Sequence, residues 1–216
     1  MLEILYSDAE IAAIVKPAGM LSEEGSGIGV PSELRTALQT DVIYPVHRLD
    51  RETGGVMVYA RTKFAAAFLS QAISQGQLEK TYFALVHGRP EPETGIFEDF
   101  LFRDMRKNKS YVVKRQRSGV RRASLSYQVL SEKDEISLVQ IRLHTGRTHQ
   151  IRVQFASRRM PLVGDGRYGA ADGISQLGLF ACRLSLVHPV SGARMTFFAC
   201  PQGELWDGFN LTNAGD

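Results

Sequence analysis

With 216 residues, 44% of them hydrophobic, the chain can bury a full core, which excludes disorder as its default state. Charge interrupts every apolar run well short of a membrane span. Glu3, Asp8 and Glu10 occupy the stretch where a secretory signal needs a basic start and an apolar run, so no membrane partner and a cytoplasmic location are expected.

Leu2 to Gly19 reads as two short β-runs joined by a polar turn around Ser7 to Glu10, with Pro17 and Gly19 ending the second. Residues 22–31, rich in Ser, Glu and Gly, read as a loop. A short helical segment capped by Ser32 runs to Gln39. A strand or turn over Tyr44 to Asp50 leads through Gly54-Gly55 into a strand at Val56 to Ala60. Thr62 then caps a helix from Lys63 to about Ser74, with Phe64, Ala67, Phe68 and Ile73 as its apolar residues and Gly76 just past its end. Lys80 to Val86 alternates as a strand, and Pro90-Glu91-Pro92 breaks the pattern. β-like stretches follow at Tyr111 to Val113, Ala123 to Leu130 and Ile136 to Leu143. His149 to Ser157 reads as a helix on a face of Ile151, Val153 and Phe155. Phe180 to His188 and Ala193 to Ala199 form an antiparallel pair turning at Pro189 to Gly192. Strands outnumber helices and many connections are hairpin-like, so the expected class is α+β, a mixed but mainly antiparallel central sheet flanked by helices and loops.

Two cysteines, Cys182 and Cys200, give no disulfide framework. None of the histidines His47, His87, His144, His149 and His188 joins a cysteine or carboxylate at zinc-binding spacing, so no metal is expected. Net charge is only +3, but its distribution is uneven. Residues 103–122 contain Arg103, Arg106, Lys107, Lys109, Lys114, Arg115, Arg117, Arg121 and Arg122 against a single acid, Asp104. Such a concentration suits a polyanionic partner; a solvated hairpin is the plainer reading.

Two polar clusters can carry chemistry. In His47-Arg48-Leu49-Asp50-Arg51-Glu52-Thr53-Gly54-Gly55, a carboxylate lies between two arginines, and an ionised carboxylate can act as nucleophile or base. A turn tied by an Asp–Arg pair fits the same residues. The second cluster, Leu143 to Arg152, ends a strand, turns at Gly146 and starts a helix, offering backbone donors, Arg147 and Arg152 to an anion. Arg147 and Arg152 need not share a face, so one can pair inward while the other reaches outward.

Together these pieces resemble the RluA-type RNA pseudouridine synthases. HRLDRETGG is similar to that family's signature, LHTGRTHQIRVQ to its third motif, and LEKTYFALVHG to the strand bearing its active-site tyrosine. IVKPAGM, PLVGDGRYG and LSLVHPVSGARMTF agree in order and spacing. Gly54 stands where the family usually has Ser, and Phe180 where His is common. The resemblance implies one catalytic domain over residues 1–216 without an S4-type RNA-binding appendage, and isomerisation of uridine to pseudouridine in ribosomal or transfer RNA. It implies no cofactor and no obligatory protein partner, the chain acting as a monomer. It makes Asp50 the essential carboxylate, Arg152 its partner, and Tyr82 the residue against the uracil face. Arg48 fills the space left by the extruded base. Arg51, Arg147, Lys107, Lys109, Arg115 and Arg117 are expected to meet RNA. A non-catalytic RNA-binding module and a hydrolase of N-glycosidic bonds are the rival readings.

Overall fold

The computed structural model describes residues 2–25 and 27–211; Ser26, within the expected loop, lies outside them. The elements in chain order are β1 (Glu3–Ser7), β2 (Ile11–Lys16), α1 (Val30–Leu38), β3 (Tyr44–Pro45), β4 (Gly54–Ala60), α2 (Lys63–Ser74), β5 (Glu79–His87), β6 (Thr94–Asp104), β7 (Lys109–Val113), β8 (Val120–Lys133), β9 (Ile136–Leu143), α3 (Gln150–Ala156), β10 (Leu179–Val187) and β11 (Arg194–Phe198). The class is α+β, and most of the strand ladders are antiparallel. The chain forms two compact units, Met1–Lys80 with Phe180–Pro201, and Thr81–Leu179 with Gln202–Asp216.

In the first unit the strand order is β1-β2-β4-β10, with β11 beside β10 and β3 beside β4. The β1–β2 turn is made by Asp8, whose Oδ1 accepts the backbone N–H groups of Glu10 and Ile11, both at 2.8 Å. β4 meets β10 in parallel, Gly54 opposite Phe180 and Gly55 opposite Ala181. Glycine is required at 55: its φ is +125°, and a Cβ there would lie 2.3 Å from the Ala181 carbonyl oxygen. The core joins Ile11 and Ala13 of β2, Val56 and Val58 of β4, Leu184 and Leu186 of β10, and Ala65 and Leu69 of α2.

The helix α2 starts where Thr62 predicts, its Oγ1 accepting the Ala65 N–H at 3.1 Å. The buried face matches the expected one in part. Phe68 and Ile73 pack against the core, whereas Phe64 and Ala67 are solvent-exposed and the buried residues are Ala65, Leu69 and Ala72. α1 also starts earlier than expected, at Val30 after Gly29; the Ser32 hydroxyl donates to the Gly29 carbonyl instead of capping the helix.

In the second unit the order is β5-β9-β8-β6-β7. Residues 82–86 of β5 are buried on both faces, so their alternation carried no information about a wet side. β6, eleven residues long, is an element the sequence reading did not anticipate. Its inward Phe97 packs on Tyr127 of β8 and Phe155 of α3, with ring centroids 4.6 and 5.0 Å away. α3 is buried from Gln150 to Phe155, not along one stripe.

Candidate active site

Asp50 sits on a turn held from both sides. The turn closes with the Thr53 N–H donating to the Asp50 carbonyl at 3.0 Å. On the N-terminal side, the Ser22 hydroxyl donates to the Leu49 carbonyl at 2.9 Å and accepts the Leu49 N–H at 3.1 Å. On the C-terminal side, the Arg51 carbonyl accepts the Gly19 N–H at 2.7 Å and the Lys16 ammonium at 3.1 Å, while Arg51 Nε donates to the Gly19 carbonyl at 2.9 Å. Lys16 is fully buried and also donates to the carbonyls of Pro17 and Met20, at 2.9 and 2.8 Å. Burial lowers its pKa to about 8, partly opposed by the negative charges of Asp50 and Glu52. Residues 16–22 thereby clamp both neighbours of Asp50, whose half-buried side chain is carried on a fixed frame.

His47 and Arg48 go separate ways. The His47 ring accepts the Val58 N–H on Nε2 at 3.1 Å, and burial, reinforced by the Lys80 ammonium, pushes its pKa well below the ordinary histidine value. It therefore acts as a neutral strut between the turn and β4. Arg48 is exposed and 3.4 Å from Glu23, also exposed.

In the second unit Tyr82 is buried on β5. Arg152, on α3, is gripped by Asp165: Nε and Nη2 donate to the two carboxylate oxygens at 2.7 and 2.8 Å, and both side chains are almost wholly buried. The loop carrying Asp165 is itself tied to β5. Val163 N–H donates to the Leu85 carbonyl, and Leu85 N–H to the Gly178 carbonyl, both at 2.9 Å, three residues beyond Tyr82. Gly164 allows this closure, since its φ is +71° and a Cβ would meet the Gln176 carbonyl oxygen at 2.0 Å. Arg147 points the other way: it is exposed, with Nε on the Arg122 carbonyl at 3.0 Å. Of the two arginines in the second cluster, one is turned inward and one outward.

The basic residues gather on β6–β7–β8. Asp104, the window's only acid, turns the β6–β7 hairpin by accepting the Arg106 and Lys107 N–H groups at 2.9 and 3.0 Å. Lys107, Arg115 and Arg117 are exposed. Lys109 is more constrained, its ammonium on the Arg167 carbonyl at 2.6 Å and 5.0 Å from the Tyr168 ring centroid. The Tyr168 hydroxyl accepts the Ser110 N–H at 2.8 Å and lies 2.9 Å from His149 Nδ1, and its ring is 5.4 Å from the Arg152 guanidinium carbon. Tyr168 thus stands between the basic hairpin and the buried Arg152–Asp165 pair. Among the described residues, no three His, Cys, Asp or Glu side chains converge as metal ligands, and no helix is long and apolar enough to cross a membrane.

Sequence reasoning gave no role to Lys16, Ser22, Asp165 or Tyr168. Lys16 and Asp165 lay inside the IVKPAGM and PLVGDGRYG strings, where a charge amid apolar neighbours was the available signal.

Residues 10–157 match the family described as RNA pseudouridylate synthase. The chain belongs to that family. It is similar to the dual-specificity RNA pseudouridine synthase RluA of Salmonella typhi, 34% identical over 204 residues that cover 91% of each chain. It is also similar to the uncharacterized RNA pseudouridine synthase YhcT of Bacillus subtilis, 33% identical over 201 residues, covering 88% of this chain and 65% of that one. The chain therefore spans just under two thirds of that relative. The fold is that of the human RNA pseudouridylate synthase domain containing 1, with a TM-score of 0.81 over 93% of this chain and 84% of the other at 22% identity. Enzymes of this family are isomerases, so the RluA-type resemblance read from the motifs holds.

Proposed function

We propose that the chain isomerises uridine to pseudouridine in ribosomal or transfer RNA, with Asp50 as the essential carboxylate. The reaction breaks the bond from uracil N1 to ribose C1′, forms a bond from C5 to C1′, removes the proton on C5 and leaves N1 protonated. Composition and oxidation state are unchanged. What it needs is a fixed carboxylate, a surface for the detached base and a group that removes the C5 proton. The observation that carries the reading is the clamped turn, in which Ser22, Gly19 and Lys16 immobilise both neighbours of Asp50. Such a frame fixes the carboxylate before substrate arrives, so less orientation is left to be found in the transition state.

Arg152 is the proposed charge partner of Asp50, and Asp165 the residue that sets the guanidinium's orientation. Tyr82 is the proposed ring against the uracil face, its hydroxyl assisting proton removal from C5. The target nucleotide leaves its stack to reach the carboxylate; Arg48 is proposed to fill the space it vacates. Arg51, Arg147, Lys107, Lys109, Arg115 and Arg117 are the proposed phosphate contacts, which give affinity without reading sequence. The test is nucleoside analysis of RNA from cells lacking the gene after incubation with purified protein. New pseudouridine with no free uracil is the expected result. Free uracil with abasic sites would replace the isomerase by an N-glycosidic hydrolase.

A further inference from the structure

The outward side of β6–β7–β8 is unusual for a half-buried sheet. On β6, Phe97, Asp99 and Leu101 face α3: Phe97 meets Phe155, Asp99 accepts from Gln154 at 2.7 Å, and Leu101 packs with Val153. Ile96, Glu98, Phe100 and Phe102 therefore face away from α3. In register, Phe100 is opposite Val113 of β7 and Arg122 of β8, and Phe102 is opposite Tyr111 and Val120. Directly opposed residues share a face, so Phe100, Phe102, Tyr111, Val113, Val120 and Arg122 lie on one side of the sheet, with Val120 buried there and Arg122 3.7 Å from Glu98 of the same face. Tyr111 is 36% exposed, Ile96 65% exposed, and the two phenylalanines are half-buried. The Arg117 guanidinium lies 5.3 Å from the Phe102 ring centroid.

An antiparallel strand packed on one side ordinarily turns polar residues to water on the other. Three aromatic rings there, on the segment that concentrates the chain's positive charge, point to an occupant that is flat, apolar on its faces and anionic along its backbone. Unpaired nucleotides have that chemistry: bases stack on aromatic rings and on arginine planes, while phosphates meet the cations. The half-buried rings do not protrude as a membrane-inserting wedge would. We propose that the outward face of β6–β7–β8 is a stacking platform for unpaired nucleotides of the RNA substrate. Tyr111 and the Phe102–Arg117 stack receive bases, and Arg122 meets the adjoining phosphate. The inference rests on RNA being the substrate, and adds that part of that RNA is engaged as a single strand.

The test uses the full chain with the exchange Tyr111→Ser, an exposed position, and measures binding of a labelled single strand of about 12 nucleotides. The same strand annealed to its complement and the base-free polyanion heparin are the controls. Stacking contacts predict that Tyr111→Ser weakens single-strand binding by roughly fivefold or more with an unchanged salt slope, and leaves duplex and heparin binding as they were. Tyr111→Phe restores wild-type affinity. Arg122→Gln instead lowers the salt slope by about 1. A change below about twofold on Tyr111→Ser, or equal losses toward heparin or duplex, would overturn the platform in favour of a merely charged surface. So would binding to anionic phospholipid vesicles that Tyr111→Ser abolishes. Because binding is read without turnover, a platform that fails while the wild type still makes pseudouridine refutes only this inference.

Discussion

Replacing Asp165 by asparagine keeps the side chain's size and removes one negative charge from a fully buried position. Arg152 then keeps its charge with 4% of its side chain exposed, facing an amide that offers one acceptor where there were two, formerly at 2.7 and 2.8 Å. Removing one partner of a buried pair destabilises by about 3–5 kcal/mol, and the retained acceptor together with the proposed Asp50 partner favours the lower end. At roughly 2–4 °C per kcal/mol for a chain of this size, about 3 kcal/mol lowers the unfolding midpoint by roughly 6–12 °C. Urea and thermal unfolding measure the loss, and pseudouridine formation below the lowered midpoint measures the site. The double exchange Arg152→Met with Asp165→Leu replaces the pair by apolar groups and is expected to recover most of the stability but none of the activity. A loss below about 1 kcal/mol in Asp165→Asn would refute the buried pair as described. A double variant with wild-type turnover would refute Arg152 as the partner of Asp50.

Two further perturbations follow from the same geometry. At Gly54 an added Cβ would lie 3.3 Å from the Phe180 ring and 3.4 Å from the Lys16 carbonyl, so a side chain at 54 would press on Phe180. Gly54→Ser alone should destabilise by about 1–3 kcal/mol, and a double-mutant cycle with Phe180→His should show coupling of at least about 0.5 kcal/mol by urea unfolding. Lys16 titrates near pH 8 when folded and near the ordinary lysine value when unfolded, so between those pH values the unfolded chain binds more protons. The Lys16 contribution to stability therefore rises with pH across that window. Wild-type stability minus that of Lys16→Met should increase by about 2 kcal/mol from roughly pH 7.5 to 9.5, and a decrease would contradict the buried ammonium.

The parts of the fold legible in the sequence are those where a local signal and the tertiary outcome agree. Thr62 caps α2 because its hydroxyl reaches the Ala65 N–H whatever the helix later packs against. The β10–β11 pair reads from two apolar runs about a short turn. β6 was illegible because it carries aromatics outward as well as inward, which erases alternation. The face of α2 was legible in part: Phe68 and Ile73 pack on the core as their spacing suggests, but the strands beneath take Ala65 and Ala72 inward and leave the larger Phe64 outside. Asp50, Tyr82 and Arg152 were nameable from motif order. Their supports, Lys16, Ser22, Asp165 and Tyr168, act through backbone groups and an ion pair across as many as 58 residues of sequence, a relation that no local pattern encodes.

The central claim is that one carboxylate on a clamped turn makes the isomerisation possible. Release of tritium from RNA labelled at uracil C5 tests it directly, comparing wild type with Asp50→Asn at matched RNA binding and matched unfolding midpoint. Label released by the wild type and not by the variant is the predicted result. An Asp50→Asn protein that releases label at the wild-type rate would contradict it.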